Sequence, residues 1–398
     1  MLKAGFSRLD VTPPLGSYVA GYFQARYAKG ILDPIYLNAI AVSDGESNAV
    51  LITADFLNLD AVCAEDIRNL IEKRTGIPAN HVMISCLHQH TSVTIRDKDG
   101  TSVINEDESY RDILWRKFAD IAQLAMDDMR EATLSMGEQE TAEPLSFIRR
   151  NRMKDGTVCA PSRAQFPDIV GPCGESDNHV RLLRFARKEG NDIALVNFST
   201  HPDVIGGELY SADWPGFVRR YVEEDLEGVS CLLLNGAQGD SNNINYMKGE
   251  VNRGYDYAKH MGRVITDTVK LLWDKTEPCE VAYVKGDVTS VYDYSCDSED
   301  EQEILRCKRR RLSVSALSFG KLVLVGIGGE PFTHYGTAIR EACPDRRIIV
   351  SCCTNGAAGY LPTATAFAEG GYEANASRFS LTLEEDCVAT AAELLKKV

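Results

Sequence analysis

The stretch Val82-Met83-Ile84-Ser85-Cys86-Leu87-His88-Gln89-His90 decides how the chain is read. Its apolar run has the character of a buried strand, and it ends in two histidines one residue apart. On an extended chain side chains alternate between faces, so His88 and His90 are expected to point the same way. Three more apolar runs end in polar groups. Residues 193–198 lead into Ser199-Thr200-His201, residues 322–327 into Gly328-Gly329-Glu330, and residues 348–353 into a Gly/Ala-rich loop and Tyr360. Candidate ligands at the C-terminal ends of several buried strands are how α/β proteins build active sites. The runs are too continuous for a sheet with one wet face, so both faces are expected to be covered.

Outward from these runs, the pattern is that of one large α/β domain over residues 1–398, without an internal repeat or a linker. Strands at 36–42 and 49–53 flank the turn Asp44-Gly45-Glu46-Ser47, a hairpin signal. Apolar periodicity predicts helices at about 64–75, stopped by Gly76 and Pro78, and at 110–132, 253–274 and 381–397. Another helix opens at Asp213-Trp214-Pro215, since proline suits a first turn. The polar stretch 94–109 reads as a mobile loop and candidate lid over the histidines. Residues 160–178 read as a long ordered loop, and the acidic-then-basic segment 294–311 as a solvated helix.

Composition narrows the partners. Of 398 residues 44% are hydrophobic and 25% charged, an ordinary globular balance. The net charge of -15 disfavours nucleic acid and anionic membranes. No apolar run approaches the ~20 residues of a membrane span. The opening Met1-Leu2-Lys3-Ala4-Gly5-Phe6-Ser7 lacks an apolar signal core, from which a cytoplasmic location is expected. The twelve cysteines include no C-x-x-C pair. Cys86, Cys231 and Cys352 lie within apolar runs and are expected to be reduced core residues.

The chemistry rests on coincidence of place. Of seven histidines, His88, His90 and His201 follow buried strands, and Glu330 and Tyr360 occupy the equivalent place on two others. His81, His179, His260 and His334 lack that context and read as surface or structural groups. Imidazoles with a carboxylate and an open position make a hydrolytic zinc site, in which the pKa of a water falls to about 7. Other chemistries fit worse. There is no G-x-S-x-G elbow and no phosphate-binding P-loop. In Gly326-Ile327-Gly328-Gly329-Glu330-Pro331 a proline stands where a dinucleotide fingerprint needs its third glycine. Ser241, beside Asp240, has no histidine adjacent in sequence to activate it.

At these residues the chain resembles the catalytic domain of the neutral/alkaline, non-lysosomal ceramidases. The family's His-Thr-His-Ser-Gly-Pro motif is matched by His88-Gln89-His90-Thr91-Ser92-Val93, and its histidine before proline by His201-Pro202. Its Gly-Glu-x-Thr motif is similar to Gly329-Glu330-Pro331-Phe332-Thr333. Its ligating tyrosine, which precedes a Tyr-Glu pair, is matched by Tyr360 followed by Tyr372-Glu373. The resemblance implies mixed sheets packed together with helices outside. It also implies a zinc ion held by His88, His201, Glu330 and Tyr360, and hydrolysis of an N-acyl amide. His90 would transfer a proton beside the metal. Arg149, by likeness to an Asn-Arg motif at Ile148-Arg149, would bind substrate or, with Tyr360, stabilise an oxyanion.

One loop departs from the family. Its Gly-Asp-Val-Ser-Pro-Asn is here Gly239-Asp240-Ser241-Asn242-Asn243-Ile244, which puts Asn242 at the position proposed to act in catalysis. Gly239, Asp240 and Asn242 are expected to bind substrate, partly through exposed backbone amides. The resemblance also points to a short form without the family's C-terminal immunoglobulin-like domain. A soluble amide is accordingly expected as substrate in place of ceramide, and a homo-oligomer is possible. An esterase or cyclic-amide hydrolase with the same metal, or a non-catalytic metal- or ligand-binding protein, are the alternatives.

Overall fold

The computed structural model describes residues 1–98, 101–104, 108–292 and 311–398. The solvated helix expected at 294–311 thus lies almost wholly outside the described residues.

Two sheets stack face to face. Among the described residues the larger has nine strands. Its path runs Val229–Asn235, Asp192–Phe198, His179–Arg187, Arg130–Glu140, Lys3–Asp10, Tyr36–Ser43, Asn48–Ala54 and Val82–Cys86, and Glu277–Cys279 pairs off this path. The smaller runs Val284–Val291, Leu312–Phe319, Leu322–Ile327 and Arg347–Ser351. Strand alternation explains the stacking. In Tyr36–Ser43, Ile40 and Val42 enter the layer between the sheets, while Leu37, Ala39 and Ala41 face outward to helices. In Leu322–Ile327, Leu322 and Leu324 enter the same layer, and Val323, Val325 and Ile327 face the other way.

Helices cover both outer surfaces, as the continuous apolar runs required. Ala61–Thr75 and Glu108–Asp127 pack on one half of the large sheet, Asp213–Asp225 and Tyr255–Trp273 on the other. Thr333–Ala342 and Leu383–Leu395 cover the small sheet. Local chemistry sets their ends. The Asp60 carboxylate accepts the Cys63 N–H at 2.9 Å, and Gly76 closes that helix in the left-handed region at φ 77°. The helix expected to reach 132 stops at Asp127, because Arg130–Glu140 continues as a strand paired with His179–Arg187.

Residues 94–109 were expected to be a loop. Thr94–Lys98 and Thr101–Ile104 instead form a hairpin, and Thr94–Lys98 also pairs with Asn58–Leu59. The expected loop at 160–178 contains a short 3-10 helix at Arg163–Asp168 and the strand Ile169–Pro172. Among the described residues the cysteines are free, and Cys86, Cys231 and Cys352 are buried. No helix among them is long and apolar enough to cross a membrane.

Three parallel pairings decide where chemistry gathers. Asn48–Ala54 runs beside Val82–Cys86, Asp192–Phe198 beside Val229–Asn235, and Leu322–Ile327 beside Arg347–Ser351. Their C-terminal ends are sewn together. Cys86 N–H donates to Cys353 O at 3.0 Å, Cys353 N–H to Gly329 O at 2.8 Å, and Cys352 N–H to Asn235 O at 2.9 Å.

Candidate metal centre

His88 is the most constrained residue at these ends. The strand stops at Cys86, and His88 takes the left-handed region at φ 72°, so simple alternation does not orient its side chain. A non-glycine residue there costs on the order of 1–3 kcal/mol and persists only where its surroundings enforce it. Here they do: His88 N–H donates to Phe56 O at 2.9 Å and its Nδ1 meets Leu57 O at 2.9 Å. The resulting turn swings the imidazole to 5.1 Å from that of His90, between ring centroids. The two histidines converge as expected, through a turn and not through an extended strand.

His201 arrives from the neighbouring strand pair. Its Nδ1 is forked between Gln238 O at 2.9 Å and Ser241 O at 3.0 Å, and its ring lies 5.2 Å from His88. Asn235 ties the two histidine loops together, donating from Nδ2 to Leu87 O at 3.1 Å and accepting the Thr200 N–H at 3.4 Å. Glu330 and Tyr360 are register partners in a short parallel ladder, Glu330–Pro331 against Tyr360–Leu361, so both side chains leave the same face. The Tyr360 ring lies 6.4 Å from that of His201.

The four residues therefore meet, and three of their atoms meet closely. Glu330 Oε2 is 3.2 Å from His88 Nε2 and 3.3 Å from His201 Nε2. Both Nδ1 atoms face backbone carbonyls and must carry hydrogen there, which leaves each Nε2 as the free position. Burial first, and then the charge of Arg149, push the His201 imidazole below its usual pKa. Burial also opposes a charge on His88, but Glu330 outweighs it and the net shift is upward. The two differ because Arg149 bears on His201. Glu330, despite its burial, is held well below the usual carboxylate range by the two imidazoles. Its Oε2 has no hydrogen-bond partner among the described residues. With both imidazoles neutral, Glu330 Oε2 and the two Nε2 atoms would form a three-donor set for a cation. Zinc bonds of about 2.0–2.1 Å in a tetrahedron put neighbouring ligand atoms about 3.3 Å apart, which the two Glu330–imidazole distances match.

His90 belongs to a second, overlapping group. Ligand atoms of His88, His90 and His201 all lie within 4.8 Å of one another. Neither ring nitrogen of His90 has a hydrogen-bond partner among the described residues, and burial pushes its pKa down to about 3, so it is neutral. Its backbone is fixed instead: the N–H donates to Pro202 O at 3.1 Å and the carbonyl accepts from Arg26 Nη2 at 2.7 Å. The Tyr22 ring lies 5.6 Å away, and a Cβ on Gly21 would come within 2.8 Å of the His90 ring.

Arg149 reaches the cluster from the other side. Its Nε donates to Glu373 Oε1 at 2.6 Å and Nη2 to Gly239 O at 3.0 Å, leaving Nη1 3.4 Å from His201 Nε2. Its guanidinium lies 5.2 Å from the centre of the Tyr360 ring. Glu373, 1% exposed, carries a partner for this cation that the chain pattern alone did not assign. Asn235, at the end of an apolar run, was missed as well. Only its position beyond Leu234 could have flagged it.

Gly239, Asp240 and Asn242, expected to bind substrate, each make contacts within the protein. Gly239 N–H donates to Pro331 O at 2.8 Å, and a Cβ there would stand 2.2 Å from Glu330 O, so only glycine admits the approach. Asp240 Oδ1 accepts from the backbone N–H and the hydroxyl of Thr333, both at 2.8 Å, capping the helix Thr333–Ala342. Asn242 Nδ2 donates to Tyr246 Oη at 3.0 Å and its Oδ1 accepts the Ile244 N–H at 3.0 Å. The tip offers carbonyls to His201 and Arg149 where exposed amides were expected. The four remaining histidines lie outside the cluster. His81 meets Asn48 O, His179 Asp177, His260 Glu143 and His334 Glu384.

This arrangement of layers has known counterparts. A crystal structure of neutral ceramidase from Pseudomonas aeruginosa matches 99% of this chain and 74% of its own, with a TM-score of 0.77 at 14% sequence identity. The chain shares the fold of neutral ceramidase. A ceramidase complexed with C2 gives a TM-score of 0.79 at 14% identity, over 100% of this chain and 75% of that one. The sequence matches no protein-family model and no curated protein, so the likeness to ceramidase is one of fold. The expectation of mixed sheets with outer helices holds.

Proposed function

We propose that the chain is a zinc-dependent hydrolase that cleaves the amide bond of a soluble N-acylated small molecule. The metal would be held by His88, His201, Glu330 and Tyr360. One observation carries the metal: the buried carboxylate oxygen of Glu330 sits 3.2 and 3.3 Å from two Nε2 atoms whose partner nitrogens are already bound to backbone carbonyls. The fold shared with proteins named ceramidase supports an amide as the bond cleaved, and the altered tip at 239–245 supports a substrate other than ceramide.

When bound, zinc supplies Lewis acidity, which polarises a carbonyl and makes water nucleophilic near neutral pH. The protein's own groups supply the rest. Carbonyl groups of Leu57, Gln238 and Ser241 hold the imidazoles in the tautomer that leaves Nε2 free, as metal sites generally require. His90, whose ring lies beside the two imidazoles, would carry a proton to the departing amine. Arg149, clamped by Glu373, presents its remaining N–H groups beside Tyr360, where the guanidinium and the phenol stabilise negative charge on the carbonyl oxygen.

A second reading also has an observation behind it. The 4.8 Å grouping of His88, His90 and His201 would let three imidazoles hold the ion, with Glu330 left as the base. Metal analysis alongside amine-release assays on a panel of N-acyl amides tests both. The proposed site gives about one zinc per chain that falls away in His88→Ala and His201→Ala and stays in His90→Gln. Unchanged zinc in both alanine variants overturns the metal site. A zinc-loaded wild type that frees no amine from the panel overturns the amide assignment.

A further inference from the structure

A cavity of about 380 Å³ lies beside the short ribbon formed by Phe147–Ile148 and Ser241–Asn242. That size suits a small organic molecule. None of its lining residues belongs to the histidine cluster. Ile148, Pro172 and Met247 give it apolar walls, Phe147 and Tyr246 give it rings, and Glu175 is the sole charged group among its lining residues. Among the described residues Glu175 makes no ion pair. Asn151, 1% exposed, also lines the cavity. Its Nδ2 donates to Arg149 O at 3.1 Å, which ties this wall of the cavity to the Arg149 backbone.

We propose that this cavity is a binding site for an organic ammonium ion with a compact apolar or aromatic body. The body replaces water against Ile148, Pro172 and Met247, where apolar area is removed from solvent. The ammonium is drawn to the Glu175 carboxylate and to the faces of Phe147 and Tyr246, which attract cations. A carboxylate ligand would meet Glu175 as a like charge with no cation in the lining to offset it. A neutral alcohol gains nothing from Glu175. Amide hydrolysis releases an ion of this class, yet the assignment rests on the cavity alone and stands whether or not the chain cleaves amides.

Calorimetric titration of the full chain with benzylammonium chloride, benzyl alcohol and sodium benzoate at fixed salt tests it. Benzylammonium should bind at about 1 mM or tighter and ahead of the alcohol, with benzoate silent. Two variants at exposed positions locate the site. Glu175→Gln should weaken benzylammonium about tenfold and leave benzyl alcohol unchanged. Gly174→Phe should abolish binding of both, because a Cβ there lies 3.9 Å from the Ile148 side chain, so a bulky group enters the cavity without a backbone clash. Unchanged zinc content and thermal midpoint in both variants show that the fold is intact. Equal affinity for benzylammonium in wild type and both variants, equal affinity for the alcohol and the ammonium, or no binding to the wild type would overturn the proposal.

Discussion

His88 and His90 stand two residues apart in one small space and are held in opposite ways. His88 has a strained backbone and an imidazole bound at Nδ1 to Leu57 O, so its free nitrogen has one direction. His90 has its backbone bound on both sides and an imidazole without a hydrogen-bond partner among the described residues. A ligand benefits from the first arrangement, because fixing the ring before metal arrives lowers the entropy lost on binding. A proton carrier benefits from the second, because both nitrogens must exchange partners during a reaction. His201 falls with His88, forked onto two carbonyls. Under the proposed function, the same side chain would serve two tasks according to what holds its second nitrogen.

The strongest way to break this contrast is to remove an anchored ring. His88→Ala or His201→Ala should lose the metal and lower amide hydrolysis on the order of 10⁴-fold or more, measured as zinc per chain and amine released. Next, His90→Gln should lower kcat by about 10²–10⁴-fold while zinc stays bound. Zinc lost in step with activity would instead place His90 among the ligands and erase the distinction.

A third test reaches the residue between the two histidines. Gln89 Nε2 donates to Asp55 Oδ1 at 3.3 Å, and Asp55 is held by Arg219 in a fork of 2.7 and 2.5 Å. Arg219→Ala leaves that fully buried carboxylate unpaired and should cost about 3–5 kcal/mol, read by denaturant unfolding. Asn235→Ala, which cuts the tie between Leu87 and Thr200, should weaken zinc about 10- to 100-fold in a chelator competition, and an unchanged affinity would show the loops to be independent. The smallest effect is expected at the rim. Phe23, 93% exposed, touches Tyr372 at 6.2 Å between rings, and Tyr372 touches Tyr360 at 5.6 Å. Phe23→Ala should shift stability by less than about 0.5 kcal/mol and change KM more than kcat.

Much of the fold was legible because buried strands write themselves as apolar runs, and the groups that follow such runs fall at strand ends. That is why His88, His90, His201, Glu330 and Tyr360 could be named together as strand-end groups. Orientation was less legible. The left-handed turn at His88 has no sequence mark, since histidine lacks the freedom that advertises such turns in glycine. The tip at 239–242 was read by its residue types as amide-rich and outward-facing, but hydrogen bonding to distant segments turned its groups inward, onto Thr333, Tyr246 and Pro331. The hairpin at 94–104 was hidden by its polarity. It borders Asn58–Leu59 at a sheet edge, where apolar alternation is not required.

The two rungs joining Glu330 to Tyr360 act as an index pin. Glu330 N–H to Gly359 O and Phe332 N–H to Leu361 O keep carboxylate and phenol abreast. Lengthening or trimming the connection at 343–346, between the helix and the next strand, should leave both groups in place while those rungs survive. A slip of a single rung would set Leu361 opposite Glu330 and turn the phenol to the far side of the ladder. Loop grafts on this scaffold therefore have a simple design criterion: conserve the pin, and vary what lies between its two halves.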